Sequence, residues 1–269
     1  MDADNPLLLV GCGKMGGALL AGWLDGGIVA AEAVTVVEPA DIPLPEGVRR
    51  VADAVALDDA VKPEIVVFAV KPQAMDDVVP AYARYAAGGT VFLSIAAGRP
   101  IAYFETLLDP AAAIVRAMPN TPAAVGRGVT VLCANARVPG VRRETCAVLL
   151  GAVGAVEWID DEALMDAVTA VSGSGPAYVF LLAEELAKAG VAAGLPEALA
   201  RKLARLTVAG SGELLMQSDD SAATLRENVT SPGGTTAAAL AVLMAEDGLS
   251  PLLARAVDAA TRRSRELAG

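Results

Sequence analysis

Short apolar runs alternate with helical segments through the first 160 residues. Each run is apolar throughout, which is typical of strands covered on both faces of a parallel sheet. Strands that alternate with helices predict an α/β architecture with right-handed crossovers. The predicted strands are Leu7–Val10, Val34–Val37, Ile65–Val70, Thr90–Ile95, Ala113–Met118, Val129–Cys133 and Ala155–Ile159, and the predicted helices between them are Gly16–Leu24, Pro72–Tyr85 and Val141–Leu150.

After Asp160 the β-branched runs end, and one helix signal follows another. Ser174 precedes a glycine and a proline, a pattern that predicts the start of a helix. We therefore predict two domains, an α/β domain over residues 1–160 and an all-α domain over residues 161–269. The predicted helices of the second domain run from Ser174 to about Lys188 and over Pro196–Met216, Ala222–Glu227, Thr235–Met244 and Pro251–Leu267.

The segment AYVFLLAEELAKAGVAAGL, which starts at Ala177, is apolar on nearly every side of a helix. Such a helix is buried, either in the core of its own chain or against another subunit. The pattern fits both alternatives equally, so both stay open at this point.

A first glycine run, GCGKMG from Gly11 to Gly16, matches G-x-G-x-x-G between a predicted strand and a predicted helix. That is the context which the dinucleotide-binding motif requires. Gly11 permits a tight turn, Gly13 lets the backbone approach a pyrophosphate, and Gly16 lets the helix pack on the strand. The helix start, with Lys14 and Met15, offers free N–H groups and partial positive charge to an anion. We predict a Rossmann-type cofactor site here; the alternative is a glycine-rich turn without a ligand.

Glu38 follows the second predicted strand. Glu38 lies 22 residues after Gly16, near the spacing at which an acidic residue of this motif accepts hydrogen bonds from the ribose 2′-OH of NAD. Its carboxylate would repel a 2′-phosphate. Arg49 and Arg50 lie close by in the sequence and could instead receive that phosphate. We expect NADPH or NADH as the cofactor, with Glu38 favouring NADH.

Two further turns lie where predicted strands end, which is where doubly wound sheets bind ligands. One contains Ala69, Val70, Lys71 and Pro72, and the other, MPNTP, holds Asn120 where a nicotinamide is expected. We predict that these residues contact the cofactor. The alternatives are a solvated lysine at Lys71 and a purely turn-forming Asn120.

A second glycine run, TSPGGTT, leads into the predicted helix at Thr235. Hydroxyl groups come from Ser231, Thr235 and Thr236, and Gly233 and Gly234 expose backbone N–H groups at the helix start. This combination predicts a site for a small anion. The alternative is ordinary N-capping by Ser or Thr, which requires neither two glycines nor two threonines.

Composition narrows the function classes. The net charge of −11 argues against nucleic-acid binding, and no apolar run is long enough to span a membrane. The three cysteines form no CxxC pair, so no metal site is expected, and their odd number without a signal peptide suggests a reducing cytoplasm. The absence of histidine removes the Ser-His-Asp schemes and the commonest general acid/base.

The chain resembles the pyrroline-5-carboxylate reductase family over nearly its whole length. The resemblance rests on GxGxM at Gly11–Met15, AVKPQ at Ala69–Gln73, MPNTP at Met118–Pro122, SGSGPAY at Ser172–Tyr178 and VTSPGGTT at Val229–Thr236. It implies a Rossmann domain followed by a helical dimerisation domain, with a homodimer or a larger homo-oligomer as the assembly. It also implies reduction of the small cyclic imine 1-pyrroline-5-carboxylate to L-proline by NADH or NADPH, the last step of proline biosynthesis.

The resemblance assigns roles within the second domain. The substrate loop maps to Ser231–Thr236, the proline that packs on the substrate ring maps to Pro176, and the proposed proton donor maps to Thr236. Many members of the family favour NADPH, so Glu38 is a departure that puts this preference in doubt.

The missing histidine agrees with this chemistry, because an imine can be protonated before reduction and its amine product keeps the proton. Two rival functions stay open. A hydroxyacid or ketopantoate-type reductase would use a catalytic lysine, for which Lys188 and Lys202 are the candidates beyond Asp160. A non-catalytic dinucleotide sensor would have no need of the loop Ser231–Thr236.

Overall fold

The computed structural model describes residues 6–58 and 60–268. Residues 1–5, Asp59 and Gly269, which belong to the predicted domains, lie outside the described residues. The chain divides into two compact units: the first spans Met1–Gly173 and returns at Thr261–Gly269, and the second spans Ser174–Ala260. The domain division at residues 160 and 161 stays a prediction, because these units are sets of contacts and do not show where either domain would fold alone.

The first unit contains a twisted α/β sheet, which confirms the predicted fold class. Its strand order is β3-β2-β1-β4-β5-β6-β7-β8. All seven predicted strands are confirmed to within two residues, and Arg49–Val51 is an additional short strand. The strands are β1 (Leu7–Val10), β2 (Val34–Val37), β3 (Arg49–Val51), β4 (Ile65–Phe68), β5 (Val91–Ser94), β6 (Ala113–Met118), β7 (Gly128–Ala134) and β8 (Gly154–Trp158).

One pairing corrects the expectation of a wholly parallel sheet. The first six strands in sheet order, from β3 through β2, β1, β4 and β5 to β6, pair in parallel. Strands β6 and β7 are antiparallel, with Met118 opposite Val131. The connection between them, residues 119–127, holds only the short 3₁₀ turn Thr121–Val125. A parallel crossover needs about a dozen residues or more, so the chain reverses direction here. Strand β8 then pairs in parallel with β7.

The α-helices of the described residues follow the predicted pattern at most positions. Helix α3 was not predicted, whereas α1, α4 and α6 to α10 confirm predicted helices. The helices are α1 (Lys14–Asp25), α2 (Met75–Val78), α3 (Ile101–Leu107), α4 (Gly140–Gly151), α5 (Met165–Val168), α6 (Gly175–Ala192), α7 (Glu197–Gln217), α8 (Ala222–Asn228), α9 (Thr235–Leu243) and α10 (Leu249–Ala268).

The predicted helix Pro72–Tyr85 is wrong over most of its length. Only α2 is α-helical there, and it lies between 3₁₀ turns at Pro72–Ala74 and Val79–Gly88. Pro80 supplies no N–H group and its ring obstructs a preceding carbonyl, so it cannot lie inside a regular α-helix. The segment therefore continues in tighter turns.

The sheet is covered on both faces, as its uniformly apolar strands predict. Leu7 and Leu9 belong to the core on one face, while Leu8 and Val10 belong to the core on the other. Helices α1 and α4 meet on the first face, where Trp23 Nε1 donates to the carbonyl of Leu149 at 2.7 Å.

The core on the second face contains several of the chain's few aromatic side chains. The Phe68 ring lies 5.4 Å from Tyr82 and 6.1 Å from both Phe92 and Phe104, measured between ring centroids. These rings fill the space that a core of alanine and valine alone would leave open.

The C-terminal end of α10 completes the first unit. Ser264 is buried, and its hydroxyl donates to Asp166 Oδ1 at 2.7 Å. Arg265 Nε lies 3.7 Å from the other oxygen of Asp166. A Cβ added at Gly98, which follows β5, would lie 3.4 Å from Leu267. The last described residues of the chain thus contact segments more than ninety positions earlier.

The helices of the second unit leave most of their apolar side chains uncovered. No residue of α6 is buried, and Ala200 and Ala204 are the buried residues of α7. Phe180 is 67% exposed and Leu182 is 55% exposed. An apolar surface of this extent marks an interaction site. Of the two alternatives for this apolar helix, the structure therefore favours burial against another subunit.

Candidate functional site

The first candidate site lies at the carboxyl edge of the sheet. The strand order reverses between β1 and β4, and doubly wound sheets bind ligands in the crevice at such a reversal. The loop after β1 starts at Gly11, whose N–H donates to the Val37 carbonyl at 2.9 Å. The loop after β4 starts at Ala69, whose N–H donates to the Val10 carbonyl at 2.8 Å. The two predicted cofactor loops thus lie side by side.

The glycines of the first loop have distinct structural requirements. Gly11 has φ +89°, and a Cβ there would lie 2.7 Å from Val70 Cγ1. A Cβ at Gly16 would overlap the carbonyl oxygen of Gly11. In contrast, a Cβ at Gly13 would have nothing within 4 Å. Packing therefore explains the first and third glycines of the motif, whereas the second borders open space.

The start of α1 fits an anionic group. Its N-cap is Gly13, which makes no side-chain capping bond, and its first turn contains no acidic residue. Backbone N–H groups in a first turn have no partner within their own helix, and they lie at the positive end of the helix dipole. Lys14 is exposed and Met15 is half-buried against the core. These residues fit the pyrophosphate of a dinucleotide.

Glu38 is fixed beside this loop by main-chain donors. Its Oε2 accepts the Cys12 N–H at 3.0 Å, and its Oε1 accepts the Ala40 N–H at 3.1 Å. The carboxylate also contributes, after burial, to raising the pKa of the Cys12 thiol. Sequence spacing alone predicts an acid near the ribose, and the structure places this carboxylate in direct contact with the glycine-rich loop.

Arg50, the basic residue near Glu38, already makes hydrogen bonds and an ion pair within the protein. Arg50 Nη1 donates to the carbonyls of Glu38 and Ala40, at 3.1 and 3.2 Å, and Nη2 lies 3.0 Å from Asp41 Oδ1. The role of Asp41 was not predicted. The sequence shows an acidic residue three positions after Glu38, but it does not show that the unpredicted strand Arg49–Val51 brings Arg50 beside it.

Of the remaining predicted cofactor residues, Lys71 is exposed and Pro72 is held by an arginine. Lys71 follows the end of β4, and the carbonyl of Pro72 accepts from Arg99 Nη2 at 3.2 Å. Both lie at the predicted edge of the sheet. Their contact with a cofactor stays a prediction.

Asn120 makes structural hydrogen bonds. Its Nδ2 lies 3.3 Å from both the carbonyl and the hydroxyl oxygen of Ser172, and its Oδ1 accepts the Val129 N–H at 3.0 Å. Ser172 belongs to the π-helical segment Thr169–Gly173, and such segments are frequent at functional sites. The Asn120 amide therefore joins the MPNTP turn to this segment, and its contact with a nicotinamide stays a prediction.

The second candidate site, Ser231–Thr236, lies in the second unit. Gly233 has φ +68°, and Gly234 is the N-cap of α9 without a side-chain capping bond. The Gly234 N–H donates to the Ser231 carbonyl at 3.0 Å. Because a glycine occupies the cap position, neither Ser231 nor a threonine is used to cap this helix. The N-capping alternative is therefore wrong for α9.

The hydroxyl-bearing residues of this loop are accessible to different degrees. Ser231 and Thr235 are exposed, while Thr236 is half-buried in the first turn of α9. Pro176 is half-buried in the first turn of α6, in the same unit. The loop combines backbone donors at a helix start with hydroxyl groups, which suits a carboxylate-sized anion.

Comparisons with known proteins identify the family. A family model described as pyrroline-5-carboxylate reductase dimerisation matches residues 162–267, and one described as NADP oxidoreductase coenzyme F420-dependent matches residues 7–98. The chain is 40% identical to a pyrroline-5-carboxylate reductase of Pseudomonas aeruginosa, over 97% of this chain and 96% of that protein. The chain belongs to the pyrroline-5-carboxylate reductase family.

Solved structures of the family resemble the whole chain. The pyrroline-5-carboxylate reductase of Coxiella burnetii is 32% identical with a TM-score of 0.91, over 98% of this chain and 99% of that one. The pyrroline carboxylate reductase of Plasmodium falciparum, crystallised with NADP bound, is 31% identical with a TM-score of 0.84, over 100% of both chains. The chain is thus an oxidoreductase with a Rossmann-type domain and a dimerisation domain, and its cofactor is NADPH or NADH.

The lysine-dependent rival does not fit this family or this geometry. Lys188 is exposed, and its Nζ lies 2.8 Å from Glu185 and in contact with Glu184. Hydrogen bonds to these two carboxylates raise the pKa of Lys188, whereas a lysine that acts as a base needs a lowered one. Lys202 is exposed on α7.

No helix among residues 6–58 and 60–268 has the length and apolar character needed to cross a lipid bilayer.

Proposed function

We propose that this chain reduces 1-pyrroline-5-carboxylate to L-proline with NAD(P)H, and that the loop Ser231–Thr236 holds the substrate carboxylate. The reaction follows from family membership. The observation that supports the role of the loop is that α9 starts at a glycine cap, with its neighbouring hydroxyl groups not used for capping.

The nicotinamide, when bound, supplies the hydride that reaches the imine carbon. Gly11, Gly13 and Gly16 shape a backbone surface for the pyrophosphate, and Lys14 and Met15 lie at the helix start that faces it. Glu38 would accept hydrogen bonds from the adenosine ribose. Ala69, Val70, Lys71, Pro72 and Asn120 complete the proposed cofactor edge.

Substrate binding depends on the second helix start. Backbone N–H groups of Gly233, Gly234 and Thr235, with the Ser231 hydroxyl, would bind the carboxylate without a buried arginine. Pro176 would pack on the five-membered ring. When the imine binds unprotonated, Thr236, half-buried beside these donors, would relay a proton from water to the ring nitrogen, so that its hydroxyl regains the proton it gives.

The chain needs little further acid/base machinery. A cyclic imine that is protonated at nitrogen is already an activated electrophile, so no strong acid has to be held ready. Orientation of the reacting atoms about 3–3.5 Å apart contributes roughly 7–11 kcal/mol of barrier reduction in favourable cases. Placement by the two loops is therefore the main contribution of the protein.

Assembly is part of the proposal. The exposed apolar side chains of α6, including Phe180 at 67% exposure, would be covered in a homodimer, or in a larger homo-oligomer, built through the helical domain. We also propose a cytoplasmic location, in keeping with three free cysteines.

The test is a comparison of Thr236 variants in steady-state reduction of the imine. Thr236→Val removes the hydroxyl and keeps the shape, and we expect kcat/KM to fall about ten- to a hundredfold, the size of a lost hydrogen bond to a charged group. Thr236→Ala should lose a comparable amount, and Thr236→Ser is the matched control that keeps the hydroxyl. Wild-type rates for both Thr236→Val and Thr236→Ala would remove Thr236 from the site.

A second variant separates the two sites. A Cβ at Gly234 would lie 2.5 Å from Ser231 Oγ, so Gly234→Val should distort the loop. We expect a higher KM for the imine with nearly unchanged binding of NADH, measured by fluorescence titration. Loss of NADH binding as well would indicate misfolding and would not support the assignment of the loop.

A further inference from the structure

We propose that Asp41 and Arg50, together with Glu38, give this chain a preference for NADH over NADPH. Asp41 and two main-chain carbonyls keep the Arg50 guanidinium from serving as a 2′-phosphate receptor, while Glu38 accepts the ribose hydroxyls. The inference rests on the cofactor site of the proposed function and assigns the preference of that site.

The guanidinium of Arg50 is committed on both of its terminal nitrogens. Nη1 donates to the Glu38 and Ala40 carbonyls, and Nη2 lies 3.0 Å from Asp41. Arginine recognises phosphate through two parallel N–H groups of its planar fork. Binding a 2′-phosphate through the edge formed by Nη1 and Nη2 would require these contacts to be broken. A phosphate that approached the remaining N–H groups, on Nη2 and Nε, would be repelled by Asp41 beside Nη2.

Charge acts in the same direction as geometry. Asp41 pairs with the Arg50 guanidinium and offsets its charge, and the Glu38 carboxylate adds a negative charge beside the glycine-rich loop. A 2′-phosphate brought beside this group would be repelled. The two hydroxyls of an unphosphorylated ribose would meet no such charge conflict.

Two main-chain hydrogen bonds hold the Glu38 carboxylate and leave acceptor positions for hydroxyl donors. One main-chain N–H holds each oxygen, from Cys12 on Oε2 and from Ala40 on Oε1. A carboxylate oxygen has about two acceptor positions, so each oxygen can still accept one hydroxyl proton. A phosphate offers acceptors where this carboxylate needs donors.

The neighbouring Arg49 does not replace Arg50. In the parallel pairing of β2 and β3, Arg49 lies opposite Thr35 and Arg50 lies opposite Val36. Successive side chains of a strand point to opposite faces, so Arg49 projects from the face away from the Arg50 contacts. It also lies one residue further from the carboxyl edge.

The experiment measures binding without catalysis. Dissociation constants for NADH and NADPH are obtained by nucleotide fluorescence, with no imine present, for the wild type, Asp41→Ala, and Asp41→Ala combined with Arg50→Ala. Asp41 is 94% exposed, so its replacement spares the core. Asp25→Ala is the matched control, since it removes the same charge from an exposed position at the end of α1, roughly 16 Å along the helix from the glycine-rich loop.

We expect the wild type to bind NADH at least tenfold more tightly than NADPH. Asp41→Ala should narrow that ratio three- to tenfold by releasing Arg50, and the added Arg50→Ala change should restore it, while Asp25→Ala keeps the wild-type ratio. A wild-type ratio below tenfold overturns the inference. The inference is also overturned if the ratio for Asp41→Ala lies within threefold of the ratio for Asp25→Ala. The same holds if the relative gain in NADPH affinity persists in the variant that combines Asp41→Ala with Arg50→Ala.

Imine reduction, assayed separately, distinguishes this inference from the proposed function. A chain that binds NADH selectively but reduces no imine with either nucleotide contradicts the proposed function alone. A chain that reduces the imine and binds NADPH more tightly contradicts the inference alone.

Discussion

The open space at Gly13 gives the sharpest test of the cofactor loop. Gly13 has φ −71°, which alanine adopts without strain, and a Cβ there would have nothing within 4 Å. If the pyrophosphate approaches the backbone here, the methyl group of Gly13→Ala would occupy part of that space. We therefore expect a lower affinity for the nucleotide with the fold unchanged.

The expected effect on stability is close to zero because two contributions oppose each other. Alanine is a poorer N-cap than glycine, by a few tenths to about 1 kcal/mol. Replacing glycine where alanine fits gains about 0.4–1 kcal/mol from the unfolded chain. We therefore expect the free energy of unfolding to change by less than about 0.5 kcal/mol. Binding of NADH should weaken at least tenfold, which corresponds to about 1.4 kcal/mol.

The assay pairs urea denaturation with fluorescence titration of NADH. Gly151→Ala is the matched control, because this helical glycine in α4 also has open space around its Cβ position. It should keep nucleotide affinity and gain up to about 1 kcal/mol of stability. A folded Gly13→Ala protein with wild-type affinity for NADH would refute the close approach of the pyrophosphate to this backbone.

Two further predictions concern the stability and reactivity of the first unit. Glu162→Ala removes a carboxylate that accepts from Arg116 Nη1 at 2.8 Å and from the Ile101 N–H. Because Arg116 is 5% exposed, we expect the free energy of unfolding, measured in urea, to fall by about 3 kcal/mol. A loss below about 1 kcal/mol would show that solvent screens the pair. Burial raises the pKa of the Cys146 thiol to about 12, so in the native protein at pH 8.5 it should resist a thiol reagent that labels all three cysteines after unfolding. Because the folded-state pKa is the higher one, the stability contribution of this thiol is complete below about pH 9 and is lost as pH rises toward 12.

The sequence was most informative where apolar side chains alone decide the structure. Strands such as β1 and β4 are buried on both faces and read as uninterrupted apolar runs. Arg49–Val51 escaped prediction because this edge strand has three residues, two of them exposed arginines. The reversed direction of β7 escaped it as well, since an apolar run has the same appearance in either direction.

The sequence likewise predicted some features of the candidate sites and missed others. Gly11 and Gly16 were predictable because local backbone geometry makes glycine necessary there. The bond from Asn120 to Ser172 joins residues that are 52 positions apart, and no spacing rule relates them. The contact between Asp41 and Arg50 likewise depends on which strand lies beside β2.

The return of the chain to its first unit has a consequence for biosynthesis. On the ribosome, residues up to Gly173 emerge long before Thr261, so the buried partner that Ser264 provides for Asp166 arrives last. The nucleotide-binding region can complete these contacts only after Ser264 has emerged. An intermediate that lacks the final turns of α10 would leave the Asp166 carboxylate without its contacts to Ser264 and Arg265.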